Sequence, residues 1–71
     1  VLNLTVISDL KKAIAAAESA KGSYATFAES TEDQMAKAMF EQMAQDMDSH
    51  ILQLSSRLSY LSENNPLNNH R

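Results

Sequence analysis

From Ala36 to Leu61 the chain reads AKAMFEQMAQDMDSHILQLSSRLSYL, a stretch with no Gly, no Pro and no residue pattern that closes a turn. Phe40, Ala44, Met47, Ile51, Leu54, Leu58 and Leu61 follow one another in steps of three and four. That spacing keeps side chains on one face of an α-helix and would scatter them over both faces of a strand. Met43, His50 and Arg57 lie on the shoulder of this stripe, seven residues apart. With the shoulder included, the stripe is three positions wide per heptad, the width a helix shows inside a bundle rather than in a two-position coiled-coil seam. Met35, Met39, Met43 and Met47 step by four, so they drift around the helix and cannot all meet one partner. A long amphipathic helix here constrains the remainder of the chain to supply something for it to pack against.

The upstream half has the same periodicity. Ile7, Leu10, Ile14, Ala17, Tyr24 and Ala28 define a stripe interrupted once, at Lys21, and Val6, Ala13, Ala20 and Phe27 widen it on one side. The Lys21 stem can lie along such a seam while its ammonium reaches water. Many stripe positions are Ala, which lets a neighbouring backbone come close. Thr5 offers an N-cap and Ser8-Asp9 a second start one turn later, so the first helix is expected over about residues 5–30. Gly22 falls off the stripe and costs about 1 kcal/mol of helix propensity relative to Ala.

Between the stripes, Thr31 is followed three residues later by Gln34, the pattern of a capping box, and Glu32 and Asp33 suit the positive end of a helix dipole. The second helix is therefore expected over about residues 32–62. A connection this short makes consecutive helices adjacent and antiparallel. Without Gly or Pro at the break, a rival arrangement is one unbroken helix of about 55 residues, roughly 80 Å long. Arg57 near the C-terminal end suits the negative pole of the second helix. Residues 63–71, rich in Asn and carrying Pro66, cannot extend that helix and read as a polar tail, flexible or draped on the surface.

At 71 residues with 44% hydrophobic side chains the chain has room for one domain and none for a separate catalytic one. The formal charge is −3, and between residues 32 and 48 Glu32, Asp33, Glu41, Asp46 and Asp48 are countered only by Lys37. That surface repels phosphate backbones, so nucleic acid is not an expected partner. Cysteine is absent, which removes disulfides and thiolate metal sites. No apolar run approaches the ~18 residues of a membrane span. The opening VLNLTVI is too short and lacks the basic flank of a signal peptide, so an intracellular setting is expected.

Two wide stripes facing only each other leave apolar surface wet. The architecture expected is thus all-α: an antiparallel helical hairpin over residues 1–62 that self-associates, with a dimer forming a four-helix bundle as the simplest solution and a larger assembly as an extension. Ile7, Leu10, Ile14, Tyr24 and Phe27 on the first helix are the expected self-association residues. Phe40, Met43, Met47, Ile51, Leu54, Leu58 and Leu61 are their counterparts on the second. The apolar Val1 to Leu4 segment or the Asn-rich tail are candidate links for a filament.

Signals for chemistry are few. The methionine series lacks interleaved His or Cys until His50, so adaptable packing is favoured over a soft-metal ladder. Asp46-x-Asp48 lacks the Gly turn of a calcium loop. Ser, His and Asp occur without a glycine-rich elbow or a second domain to form a cleft, and no enzyme is expected. The polar faces are acidic where an anionic membrane surface would demand Lys and Arg.

The stretch from Ala17 to Ala28 (AESAKGSYATFA), followed by Ala38 to Ala44 (AMFEQMA) and then His50, resembles one half of a rubrerythrin or ferritin-like bundle. The resemblance implies a metal site to which Glu18 and His50 would contribute. Met47 stands where the Glu of a Glu-x-x-His motif would bridge two irons. A two-fold dimer bringing two Glu18 and two His50 together would offer four ligands for one Fe or Zn ion. This reduced ferritin-like metal binder is the alternative function.

A second resemblance covers nearly the whole chain. Thr5-Val6-x-Ser8-Asp9-Leu10-Lys11-Lys12, the pair Phe27-Ala28, Thr31-Glu32-Asp33-Gln34-x-Ala36-Lys37-x-Met39-Phe40, and Arg57-Leu58 ahead of Asn65-Pro66 resemble domain-of-unknown-function family 1657. The resemblance implies an endospore-forming bacterium and a gene sometimes placed near spore membrane-channel and germination components, with no established activity and no catalytic residues to carry over. The function expected is that of a structural or interaction protein, intracellular and spore-associated, whose partner is itself.

Overall fold

The computed structural model describes residues 2–63, with side chains from Leu4 to Glu63. Val1, the side chains of Leu2 and Asn3, and residues 64–71 lie outside the description, and with them most of the proposed tail and filament links. Two helices make up the fold: α1 (Leu2–Ser30) and α2 (Gln34–Glu63). They pack along their full lengths into a rod of 54 × 16 × 15 Å. A single continuous helix of ~80 Å is excluded by that long axis. The radius of gyration is 16.2 Å, against about 11 Å for a compact domain of this length.

Three contacts fix the direction of packing. Lys21 Nζ pairs with Asp48 Oδ1 at 2.6 Å, the Phe27 and Phe40 rings lie 5.5 Å apart at 56°, and Lys37 Nζ reaches the Ala28 carbonyl at 2.9 Å. Moving towards the turn on one helix matches moving towards it on the other, so the helices are antiparallel.

α1 begins at Leu2, three residues before the expected cap at Thr5. Leu2, Asn3 and Leu4 contain nothing that stops a helix, and a cap-competent side chain permits a start without forcing one. The turn likewise differs from the expected capping box. α2 starts at Gln34, and Asp33 is the residue at its N-cap, its Oδ2 accepting the Ala36 N–H at 2.8 Å. The Asp33 carbonyl accepts the first intrahelical bond, from the Lys37 N–H at 2.9 Å. Thr31 faces the opposite way: its N–H closes the last turn of α1 on the Phe27 carbonyl at 3.0 Å, and its hydroxyl accepts the Asp33 N–H at 3.2 Å. Asp33 outcompetes Thr31 because a carboxylate at the N-cap also meets the positive end of the dipole. No described residue has positive φ, which explains how a three-residue turn manages without glycine. At the other end α2 runs through Glu63, one residue into the segment expected as tail, with the Ser59 hydroxyl donating to the Glu63 carboxylate at 3.5 Å.

The seam follows the two stripes. Ile7, Leu10, Ile14, Ala17, Tyr24 and Ala28 of α1 meet Phe40, Ala44, Met47, Ile51, Leu54, Leu58 and Leu61 of α2. Ala28, at 3% exposure, is the one buried hydrophobic residue among those described, and no large side chain is fully buried. Two cylinders touch along a line, so the other apolar seam residues are covered from one side and stay half-buried.

Candidate interaction surface

Heptad phasing places one row of residues on each side of each seam, and antiparallel packing decides which rows meet. On one side of the hairpin, α1 contributes Val6, Ala13, Ala20 and Phe27, and α2 contributes Ala36, Met43, His50 and Arg57. On the other side α1 contributes Leu4, Lys11, Glu18 and Ala25, and α2 contributes Glu41, Asp48, Ser55 and Ser62. The first side has a single formal charge, Arg57, and the second has four. The contacts agree with this sorting: the Phe27–Phe40 ring pair borders the apolar side, and Asp48 sits on the charged one.

Lys21 sharpens the contrast. It occupies a seam position, as the sequence pattern shows, and its ammonium turns to Asp48 on the charged side. The apolar side is thereby kept free of that cation. Lys37, also at a seam position, spends its ammonium on the Ala28 carbonyl, one of the orphan acceptors at the end of α1.

The apolar side is accessible. Val6 is 42% exposed, Phe27 47%, and Met39 and Tyr60, on the outer flank of the same side, 55% each. The Arg57 guanidinium lies over the Tyr60 ring at 5.2 Å, so the one cation of this face is partly masked by an aromatic. Of the twelve residues expected to mediate self-association, eleven are half-buried within the hairpin, ten in its seam and Met43 on the shoulder, and Phe27 alone is exposed. Leu4, Met35, Met39, Leu52 and Tyr60 are exposed apolar residues that the stripe pattern did not select. Their position relative to the shoulder rows is the signal that finds Met39 and Tyr60. Leu52 stands apart on the charged side, between Gln45 and Ser59 of its own row, and single exposed leucines are ordinary.

A shallow open groove of about 390 Å³ lies on the charged side near the turn, lined by Ala25, Ala28, Glu29, Glu41, Ala44 and Gln45. It exists because alanines face each other across the seam there. Its lining holds two carboxylates and one amide, with no hydroxyl or imidazole side chain.

Glu18 and His50 are level with each other along the rod, as the Lys21–Asp48 pair requires. They belong to rows on opposite sides of the seam, and both are exposed. Among the described residues no group of three or more His, Asp or Glu side chains is placed to hold a metal ion. Nor is any described helix long and apolar enough to cross a membrane.

These features define a class: a bare helical hairpin with one apolar and one charged long side. The family described as a protein of unknown function, DUF1657, matches residues 10–58, both helices and the turn between them, and the chain belongs to that family. Comparison with curated proteins and with solved structures gave no match.

Proposed function

We propose that this chain is a non-enzymatic structural or interaction protein that works by helical self-association, hairpins pairing into a four-helix bundle. The observation that carries this reading is the state of the seam, in which no large apolar side chain among those described is fully buried. A second hairpin laid on the apolar side would cover the open edge of both stripes at once, the arrangement that gives a bundle its core. A two-helix hairpin of this size is marginal as an isolated fold, and oligomerisation is a usual remedy. An intracellular, spore-associated setting in an endospore-forming bacterium is part of the proposal and rests on what the family resemblance implies.

Thermal unfolding over a hundredfold range of protein concentration tests the reading. When folding is linked to association, the midpoint rises with concentration. A midpoint independent of concentration, with a single cooperative transition, overturns it.

A further inference from the structure

Charge is uneven along the length of the rod as a whole, and that unevenness bears on how a second copy would lie on its apolar side. The turn end carries Glu29, Glu32, Asp33 and Glu41 against Lys37. The open end carries Lys11, Lys12 and Arg57 against Asp9 and Glu63. Two hairpins laid parallel would stack acidic turn on acidic turn. Laid antiparallel, each acidic turn meets the end of the other copy that has excess positive charge, the complementarity that fixes register between partners.

The rows then fall into a consistent register. With the two-fold axis crossing the rods near their middle, α1 faces α1 and α2 faces α2 of the second copy. Val6 comes opposite Phe27, Ala13 opposite Ala20, Met43 opposite Arg57, and His50 opposite its own copy. Large residues at one end meet smaller or adaptable ones at the other, and the two alanine levels let the rods approach at the centre. The level of α1 that falls on the axis is also the level of α2 carrying His50, according to the intramolecular Lys21–Asp48 and Phe27–Phe40 contacts. One axis therefore serves both helices. The rod is 54 Å long, so a second hairpin laid along it can make contact over several helical turns of both helices.

We propose that the side bearing Val6, Ala20, Phe27, Met43 and His50 binds a second copy of this chain antiparallel, with the two His50 residues beside the dimer axis. The inference rests on the self-association reading above and adds the face, the orientation and the register. The charged side, with Glu18 and the alanine groove, stays in water.

The chain has no cysteine, so single substitutions report their own positions. A disulfide needs Cα atoms within roughly 7 Å. His50→Cys is expected to form a disulfide-linked dimer rapidly under mild oxidation, and Ser55→Cys on the charged side is expected to stay uncross-linked. A mixture of Ala13→Cys and Ala20→Cys should give the mixed dimer in excess over either self-linked form, a second reporter that does not depend on His50. Sedimentation of each reduced variant, with circular dichroism to confirm helix, accompanies the cross-linking. A dimer that links through Ser55→Cys and not through His50→Cys overturns the face while leaving self-association standing. Linkage of Ala20→Cys to His50→Cys, in place of His50→Cys to itself, makes the dimer parallel and overturns the orientation. Folded monomers overturn the self-association reading itself.

Discussion

Asp33 and Lys37 hold the turn together from its two sides. The Asp33 carboxylate satisfies a free N–H of α2, and the Lys37 ammonium, one turn later, satisfies a free carbonyl of α1. Asp33→Ala is expected to cost about 1 kcal/mol. Lys37→Met leaves the carbonyl of a buried alanine without its charged donor and should cost about 1–3 kcal/mol. Urea midpoints read both, with the slope unchanged if the native state is otherwise kept. Gly22 is the opposite case. Its backbone is helical with φ negative, and an added Cβ would meet nothing within 4 Å. Gly22→Ala should therefore raise stability by about 0.5–1 kcal/mol, checked on the same urea curves. His50 and Glu18 lie on different sides of the hairpin, so the ferritin-like alternative lacks a shared face on which to gather them. Metal analysis of the purified chain should find well under one ion per chain, unchanged by His50→Ala; stoichiometric Fe or Zn lost in that variant would revive the alternative.

The two helices were legible in the sequence because their stripes are nearly unbroken and long. Steps of three and four from Ile7 to Ala28 and from Phe40 to Leu61 became the two sides of one seam. The methionine drift was legible as well: Met35 is 83% exposed, while Met43 and Met47 are half-buried. The cap was misplaced by two residues because Thr31 and Asp33 are both cap-competent and sit within hydrogen-bond reach of each other, a choice settled by geometry that composition does not carry. The side along which α1 and α2 expose a common apolar surface was hidden for a different reason. A row on one helix has a neighbour only once antiparallel pairing sets one shoulder beside another. Ion pairing across the seam adds little to this. Lys21 and Asp48 are both about half exposed, so Asp48→Asn should change stability by no more than about 1 kcal/mol, and by less at high salt.

The whole rod is defined by what it fails to enclose. One hairpin covers each stripe from a single direction, and the apolar side between Val6 and Phe27 remains open. A charge placed on that side should weaken association. Phe27→Glu is expected to raise the dimer dissociation constant at least tenfold, equivalent to about 1.4 kcal/mol, while Leu52→Glu on the charged side leaves it unchanged within about twofold. Titration by dilution, followed by fluorescence anisotropy of a labelled chain, separates the two. Sedimentation equilibrium of the unmodified chain puts the main claim to its most direct trial. At tens of micromolar the expected mass is twice the 7.8 kDa of one chain; a mass of 7.8 kDa for a fully helical, cooperatively folding species at that concentration would contradict it.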